Sequence, residues 1–258
     1  MVSGGLRTKG IIKQSQENKP LITIITVVRN GKKTLEQTIL SVINQTYENI
    51  EYIIVDGAST DGTLDIIRKY ENRIDYWMSE PDKGIYDGMN KGIGLATGDF
   101  VALLNSDDWY ELNACQIIVS EINKGGGYEI YYAVARVINE KGYTLFLHGS
   151  TINNISKQSL AHQTCFVSKN IYENNKYSLK YKSASDYDFF LRLASKNIRF
   201  RFIEAIFTNY RIHGMSESFL SCLETINIKK KYNYTSFMNY IIRKIYFLIM
   251  CFIERNKM

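Results

Sequence analysis

The residues best placed to do chemistry in this chain are acidic and follow apolar runs. Residues 50–55 are followed by Asp56 and the string Gly57-Ala58-Ser59-Thr60-Asp61-Gly62. Residues 100–104 are followed by Asn105-Ser106-Asp107-Asp108. An acidic cluster directly after a buried strand needs a partner, because burying an unpaired carboxylate is costly. Hard divalent cations such as Mg2+ or Mn2+ take oxygen ligands of this kind. Taken singly, Asp56 or Asp61 would pass as a turn or helix-cap residue, since Asp, Asn and Ser favour those positions. Two such clusters on one sheet edge point instead to a nucleotide–metal site.

The elements that must hold these residues are legible from periodicity. Residues 21–28 (LITIITVV) are short, β-branched and continuously apolar, the pattern of a strand buried on both faces. Residues 34–45 carry Leu35, Ile39, Val42 and Ile43 at helical spacing. Residues 50–55 read as a second buried strand and 64–70 as a helix opened by turn-forming residues. A third short strand fits 74–78, a helix 85–96, and another buried strand 100–104. Strands alternating with helices predict an α/β fold: a doubly wound, mostly parallel sheet with helices on both faces. Further on, 128–138 and 143–148 read as a hairpin, 162–168 as a strand, 186–196 as a helix, 199–210 as extended and the remainder as helical. In an open sheet of this type ligands bind beyond the carboxyl ends of the strands, where both acidic clusters fall.

Composition narrows the function. With 258 residues, 45% apolar and 22% charged, the chain has the means for a full core. Cys115, Cys165, Cys222 and Cys251 show no metal-ligand spacing and read as reduced thiols of a cytosolic protein. The opening residues lack the apolar core of a secretory signal, and no apolar stretch is long enough to span a bilayer as a helix. The formal charge of +6 is uneven: residues 229–258 hold 7 Lys/Arg against 1 Asp/Glu, which leaves 1–228 balanced. A neutral body with one basic, apolar tail argues against a nucleic-acid protein. It leaves two readings of the tail: contact with an anionic membrane surface, or a terminal helix that completes the core. Residues 1–19 are polar and aperiodic and read as a loose leader, with 20–218 as the folded domain and 219–258 as a helical extension.

The run TIITVVRNGKKTLEQTILSVINQTYENIEYIIVDGASTDGT resembles the opening of family 2 glycosyltransferases. DKGIYDGMNKGIGLATGDFVALLNSDDWY, SDYDFFLRL and YRIHGMS match successive motifs of that family in order, so the resemblance covers residues 20–218. It implies the GT-A fold and transfer of a sugar from a UDP-sugar, with Mn2+ or Mg2+ as cofactor. It also implies roles for individual positions. Thr26, Val28 and Arg29 would line the nucleotide pocket, Arg29 otherwise being a surface charge, and Asp56 would contact the uracil. The family's Asp-x-Asp metal motif reads Asn105-Ser106-Asp107 here, with Ser106 beside the nucleotide, Asp108 structural, and an amide in place of the first acid. Asp186 matches the catalytic base, with Ser185 where a Glu is common and Asp188 as the competing candidate. Arg192 would reach the diphosphate or pair with Asp188, and His213 would approach the metal or diphosphate. His162 and Gln163 would lie near the sugars. Lys83, Asp87, Asn90 and Lys91 would hold ribose, sugar or phosphates, while Gly84, Gly88 and Gly92 would admit a close backbone or pack a helix tightly.

The reading that results is an inverting, metal-dependent transferase at the inner face of the cell membrane. It moves sugar from a UDP-sugar donor to a glycan or polyisoprenoid-diphosphate-linked acceptor in surface polysaccharide assembly of the O-antigen or capsule type. Two rivals stand beside it. A nucleotidyltransferase would want a glycine-rich phosphate loop after the first strand, where VVRNGKKT has one glycine. A catalytically degenerate scaffold in a membrane glycan-assembly complex draws support from Asn105 and Ser185 alone.

Overall fold

The computed structural model describes residues 1–139, 141–149, 151–156, 159–212 and 219–234. Isoleucine, valine and threonine fill every position of β2 (Ile22–Val28), and all seven are buried, because helices cover both faces of this strand. It pairs in parallel with β3 (Ile50–Asp56) and β5 (Phe100–Leu103), and β3 pairs in parallel with β4 (Tyr76–Ser79). Beyond β5 come β9 (Phe166–Ser168), antiparallel, then β7 (Ile130–Ile138), β10 (Phe200–Arg211) and β6 (Trp109–Tyr110). Strands β7 and β10 are parallel to each other, and β8 (Thr144–His148) forms the expected antiparallel hairpin with β7. Among the described residues this makes one ten-stranded mixed sheet whose central block is parallel.

Two apolar layers flank the sheet. Ile24 and Val28 of β2 face α1 (Leu35–Ile43), α2 (Thr63–Lys69) and α4 (Ala114–Asn123). Ile25 and Val27 face α3 (Ile85–Leu95), α5 (Lys169–Asn174), α6 (Ser185–Ala194) and, through Ile228, α7 (Phe219–Lys231). The doubly wound arrangement is therefore present. The expected strand over 162–168 is in part a 3-10 turn, His162–Thr164, before β9 begins. Most of the basic apolar tail lies outside the described residues.

Residues 1–19 are not loose. Strand β1 (Val2–Gly4) adds to the sheet edge antiparallel to β4. The physical cause is charge: Glu51 and Asp75 are 1% exposed and need cations, which the leader supplies. Arg7 pairs with Glu51, and Lys13 Nζ lies 2.9 Å from Asp75 Oδ2. Burial pushes the Glu51 carboxyl up, yet donors from Thr23, Thr97 and Arg7 outweigh it and hold it below the usual range. At Asp75 burial prevails and the carboxyl is raised.

The glycines of α3 serve packing. A Cβ on Gly92 would fall 2.4 Å from Ile25 Cγ2, and one on Gly88 would fall 3.3 Å from Val27 Cγ1. Overpacking costs about 1–3 kcal/mol, of which the better helix propensity of alanine returns roughly 1. Gly92→Ala should therefore lower the urea midpoint at unchanged slope. A raised midpoint would mean that α3 has room to stand off from β2.

Candidate active site

Strands β2 and β5 end on a cleft of about 880 Å3. Val28 and Arg29 form one wall, Asn105, Ser106 and Asp107 the floor, and Asp186 at the start of α6 the opposite side. Residues 159–163 close the back, and Tyr210 to Ile212 with Lys229 of α7 complete the rim.

Asp186 is held by two donors from distant parts of the chain. The Tyr86 hydroxyl donates to Oδ1 at 2.9 Å, and His162 Nδ1 lies 3.2 Å from Oδ2. The carboxylate remains 19% exposed on the cleft side. Burial pushes its pKa up, but the hydrogen bond and charge of His162 and the Tyr86 hydroxyl outweigh this and hold it below the usual carboxylate range. Asp186 is therefore ionised at neutral pH and able to accept a proton. Tyr86 is itself fixed by stacking on Tyr177, with ring centroids 5.7 Å apart. The N-cap of this helix is Ala184 and its first residue is Ser185, so Asp186 stands in the first turn and not at the cap position.

The competing carboxylate is committed elsewhere. Asp188 is 2% exposed, its Oδ1 lies 2.7 Å from Lys231 Nζ of α7, and neither residue lines the cleft. Tyr86→Phe isolates the contribution of one donor to Asp186. Losing a hydrogen bond to a charged group costs about 1.5–3 kcal/mol, so the ionised form becomes less favoured and the carboxyl pKa rises. We expect the acid limb of the pH–rate profile to move to higher pH, with little change in nucleotide affinity. An unmoved limb would separate Tyr86 from the titrating group.

The loop after β5 divides its four polar side chains between structure and cleft. Asp108 is fully buried and accepts from the Arg211 backbone N–H at 3.0 Å, Gln163 Nε2 at 3.0 Å and Asn105 Nδ2 at 3.3 Å. Burial and the neighbouring Asp107 charge push its carboxyl well above the usual range, against these donors. Asn105, by giving its amide nitrogen to Asp108, turns its oxygen towards the cleft, 3.4 Å from His162 Nε2. Asp107 lines the cleft, and its backbone oxygen accepts from the Arg211 guanidinium. That guanidinium lies 4.5 Å over the Trp109 ring. Among the described residues no cluster of three or more His, Cys, Asp or Glu side chains is arranged to hold a metal ion. Asp107 and Asn105 are hard oxygen donors of the number that Mg2+ or Mn2+ uses when substrate phosphates complete its shell. His213 lies outside the described residues.

Of the residues expected to hold nucleotide, Val28, Arg29 and Ser106 line the cleft. Thr26 does not: it is buried, and its hydroxyl accepts from the Tyr52 hydroxyl at 3.1 Å. Asp56 is 0% exposed, and its carboxylate accepts from the Ser59 N–H, the Ser59 hydroxyl and, at 2.6 Å, the Ser79 hydroxyl. Those bonds fold the turn in which Ala58 takes the left-handed conformation, φ 57.

The polar side chains of α3 have partners within the protein. Asn90 spends both ends of its amide on the Tyr177 backbone, at 2.9 and 3.0 Å. Lys91 pairs with Glu80 at 2.7 Å and Asp87 at 3.6 Å, and the Asp87 carboxylate also accepts from the Lys83 N–H at 3.0 Å. Lys83 is exposed beside the cleft, between the lining residues Asp82 and Gly84. Arg192 donates to the Lys176 carbonyl at 2.6 Å and is not among the residues that line the cleft. Tyr86, Arg211, Lys182 and Lys229 belong to the site and were not singled out from sequence. For Tyr86 the signal was present: it starts the apolar stripe Tyr86, Met89, Ile93 on α3, with its hydroxyl at the sheet edge where the site lies.

The model of the family described as Glycosyl transferase family 2 matches residues 23–214. The chain belongs to glycosyltransferase family 2. Among its relatives is the Escherichia coli enzyme named UDP-Glc:alpha-D-GlcNAc-diphosphoundecaprenol beta-1,3-glucosyltransferase WfaP. The two are 30% identical over 205 residues, 77% of this chain and 80% of that one. The structure of Staphylococcus aureus TarS 1–349 with UDP-GlcNAc matches at TM-score 0.69 and 17% identity, over 86% of this chain and 69% of that chain. The Pyrobaculum calidifontis mannosyltransferase PcManGT, in complex with GDP-Man and Mn2+, matches at TM-score 0.67 and 14% identity, over 89% and 70%. These likenesses establish the GT-A fold. As a family 2 glycosyltransferase the protein is an enzyme.

Proposed function

We propose that this glycosyltransferase transfers a sugar from a UDP-sugar, with inversion, to a saccharide carried on a lipid diphosphate in bacterial surface-polysaccharide assembly of the O-antigen or capsule type. The observation that carries the proposal is the Asp186 carboxylate, kept ionised by Tyr86 and His162 on the cleft side opposite the Asn105–Asp107 loop.

In the proposed step the acceptor hydroxyl oxygen attacks the anomeric carbon. Its proton passes to Asp186, and the bond to the donor's diphosphate breaks with its electron pair leaving on the phosphate oxygen. Attack from the Asp186 side and departure from the Asp107 side invert the configuration. Asp107 and Asn105 would hold a divalent cation, Mn2+ or Mg2+, whose charge would offset that growing on the leaving diphosphate. Arg29 and Arg211 add fixed positive charge to the same cleft. The choice of UDP and of a lipid-linked acceptor is supported by the name of the E. coli relative.

Among the described residues no helix is long and apolar enough to cross a membrane. We place the enzyme at the inner face of the cell membrane, in peripheral contact with it, because that is where a lipid-carried acceptor is found. The test is UDP release from a panel of UDP-sugars, with and without Mn2+. Turnover of one sugar, only with metal, names the donor. Tight UDP binding without any turnover points to an absent acceptor, and no binding of UDP refutes the proposal.

A further inference from the structure

Helix α6, which carries Asp186, starts without a cap of its own. Its N-cap is Ala184, whose side chain has no acceptor to offer the backbone donors at a helix start. The turn that leads into it is fastened by α7 instead. The Glu224 carboxylate accepts from the Lys182 N–H on Oε1 at 2.9 Å, and from the Ser183 and Ala184 N–H groups on Oε2 at 2.9 and 3.0 Å. Three successive backbone donors converging on one point form a concavity for an anion, and the positive end of the helix dipole favours one there. In this chain the anion is a side chain, and Glu224 is 8% exposed.

The place of the contact ties it to the reaction. Lys182, Ser183 and Ala184 line the cleft, and Asp186 follows in the first turn of α6. Its carboxylate meets Tyr86 at 2.9 Å and His162 at 3.2 Å only while that turn stays where it is. A shift of about 1 Å along either bond would break it, and a misplacement of that size costs about 10²-fold in rate. Helix α7 is seated well enough to set the position. Ile228 is buried in the same apolar layer as α6, and Lys231 pairs with buried Asp188 at 2.7 Å. The contacts of α7 at 182–184 and at Asp188 thus bracket Asp186 on both sides in sequence.

We propose that Glu224 is a positioning residue for the transfer step, fixing the 182–184 turn and through it the reach of Asp186 into the cleft. The proposal rests on Asp186 as the base. It adds to the reaction a helix that lies beyond the family match, which ends at residue 214.

The test is a double-mutant cycle on the full chain: wild type, Glu224→Gln, Asp186→Asn and the double variant. The amide keeps the size of the side chain but sets an NH2 group against the backbone donors, so it cannot accept all three. UDP release is measured on the panel of UDP-sugars, and the Asp186 carboxyl is titrated by its 13C resonance without substrate. Glu224→Gln should lower kcat at least about tenfold, with donor KM little changed. The Asp186 carboxyl should rise from its depressed position towards the ordinary value as the bonds from His162 and Tyr86 loosen. In the Asp186→Asn background the same substitution should change the residual rate by less than about twofold, because both changes act through one group. Glu224→Asp, which keeps the charge on a shorter arm, takes its place in the cycle if Glu224→Gln does not fold. An unmoved Asp186 titration in either variant overturns the proposal. If Asp186→Asn is slow and the position-224 variant costs the same factor in both backgrounds, the proposal fails alone. If Asp186→Asn turns over at the wild-type rate, the base assignment fails and takes the proposal with it.

Discussion

Asp186→Asn is expected to lower kcat by about 10²–10⁴-fold, the range that a positioned general base contributes, with UDP affinity close to wild type. The amide keeps the shape of the side chain and an oxygen to accept from Tyr86 but cannot take a proton. The pH dependence of the wild type follows from the sign of the shift. The Asp186 pKa is depressed by His162 and Tyr86 against burial, so the active, ionised form persists until pH falls through that lowered value. The same group's contribution to stability is present above its unfolded pKa and is lost over the same fall. Activity should thus hold on the acid side well below neutrality, and the asparagine variant should lose this limb along with its rate. A variant with wild-type kcat would place the base elsewhere. Asp188 is not that place, since it is buried against Lys231.

How far the sequence reveals such a site depends on where each partner lies along the chain. Residues 22–28 and 50–56 are legible as strands because burial on both faces demands an unbroken β-branched run, a purely local pattern. The order of residues 1–19 is not local at all. It comes from Arg7 and Lys13 meeting Glu51 and Asp75, and nothing near Arg7 in sequence announces those buried acids. Helix α4 is a different case: Ala114, Cys115, Ile118 and Val119 are buried at helical spacing, so the signal is there to be read.

The site follows the same rule. Asp186, Asp107 and Asn105 stand at element ends on one edge of the sheet, a placement that follows from the strand pattern once the motifs are aligned. Asn90, Lys91 and Asp56 have the right residue types in the right motifs, yet their polar atoms are spent on Tyr177, Glu80, Ser59 and Ser79. Residue type names what a side chain is able to bind, and only the fold shows what it already binds. Tyr86 is the converse: an aromatic in an apolar stripe whose hydroxyl meets a carboxylate 100 residues away.

Asp107→Ala is expected to cost about 10² or more in kcat/KM, comparable with loss of one fixed donor to a developing anion, and to raise the Mn2+ concentration needed for half-maximal rate. The reason lies in how the loop divides its charges. Asp108 is sealed beneath the floor and accepts from Arg211, Gln163 and Asn105, so it offers nothing to a cation in the cleft. Asn105 brings an oxygen without charge. Removing Asp107 therefore removes the only carboxylate that this loop presents to the cleft.

The same division explains why an amide stands at position 105. Its nitrogen donates to buried Asp108 at 3.3 Å, and an acid there would withdraw a donor and set a second charge against a carboxyl already pushed up by burial. Asn105→Asp should thus lower the melting temperature and fail to rescue Asp107→Ala, although it restores one carboxylate to the motif. Rescue of metal-dependent turnover by Asn105→Asp would show that Asp108 does not need this donor, and the division of the loop into a structural acid and a cleft acid would be wrong.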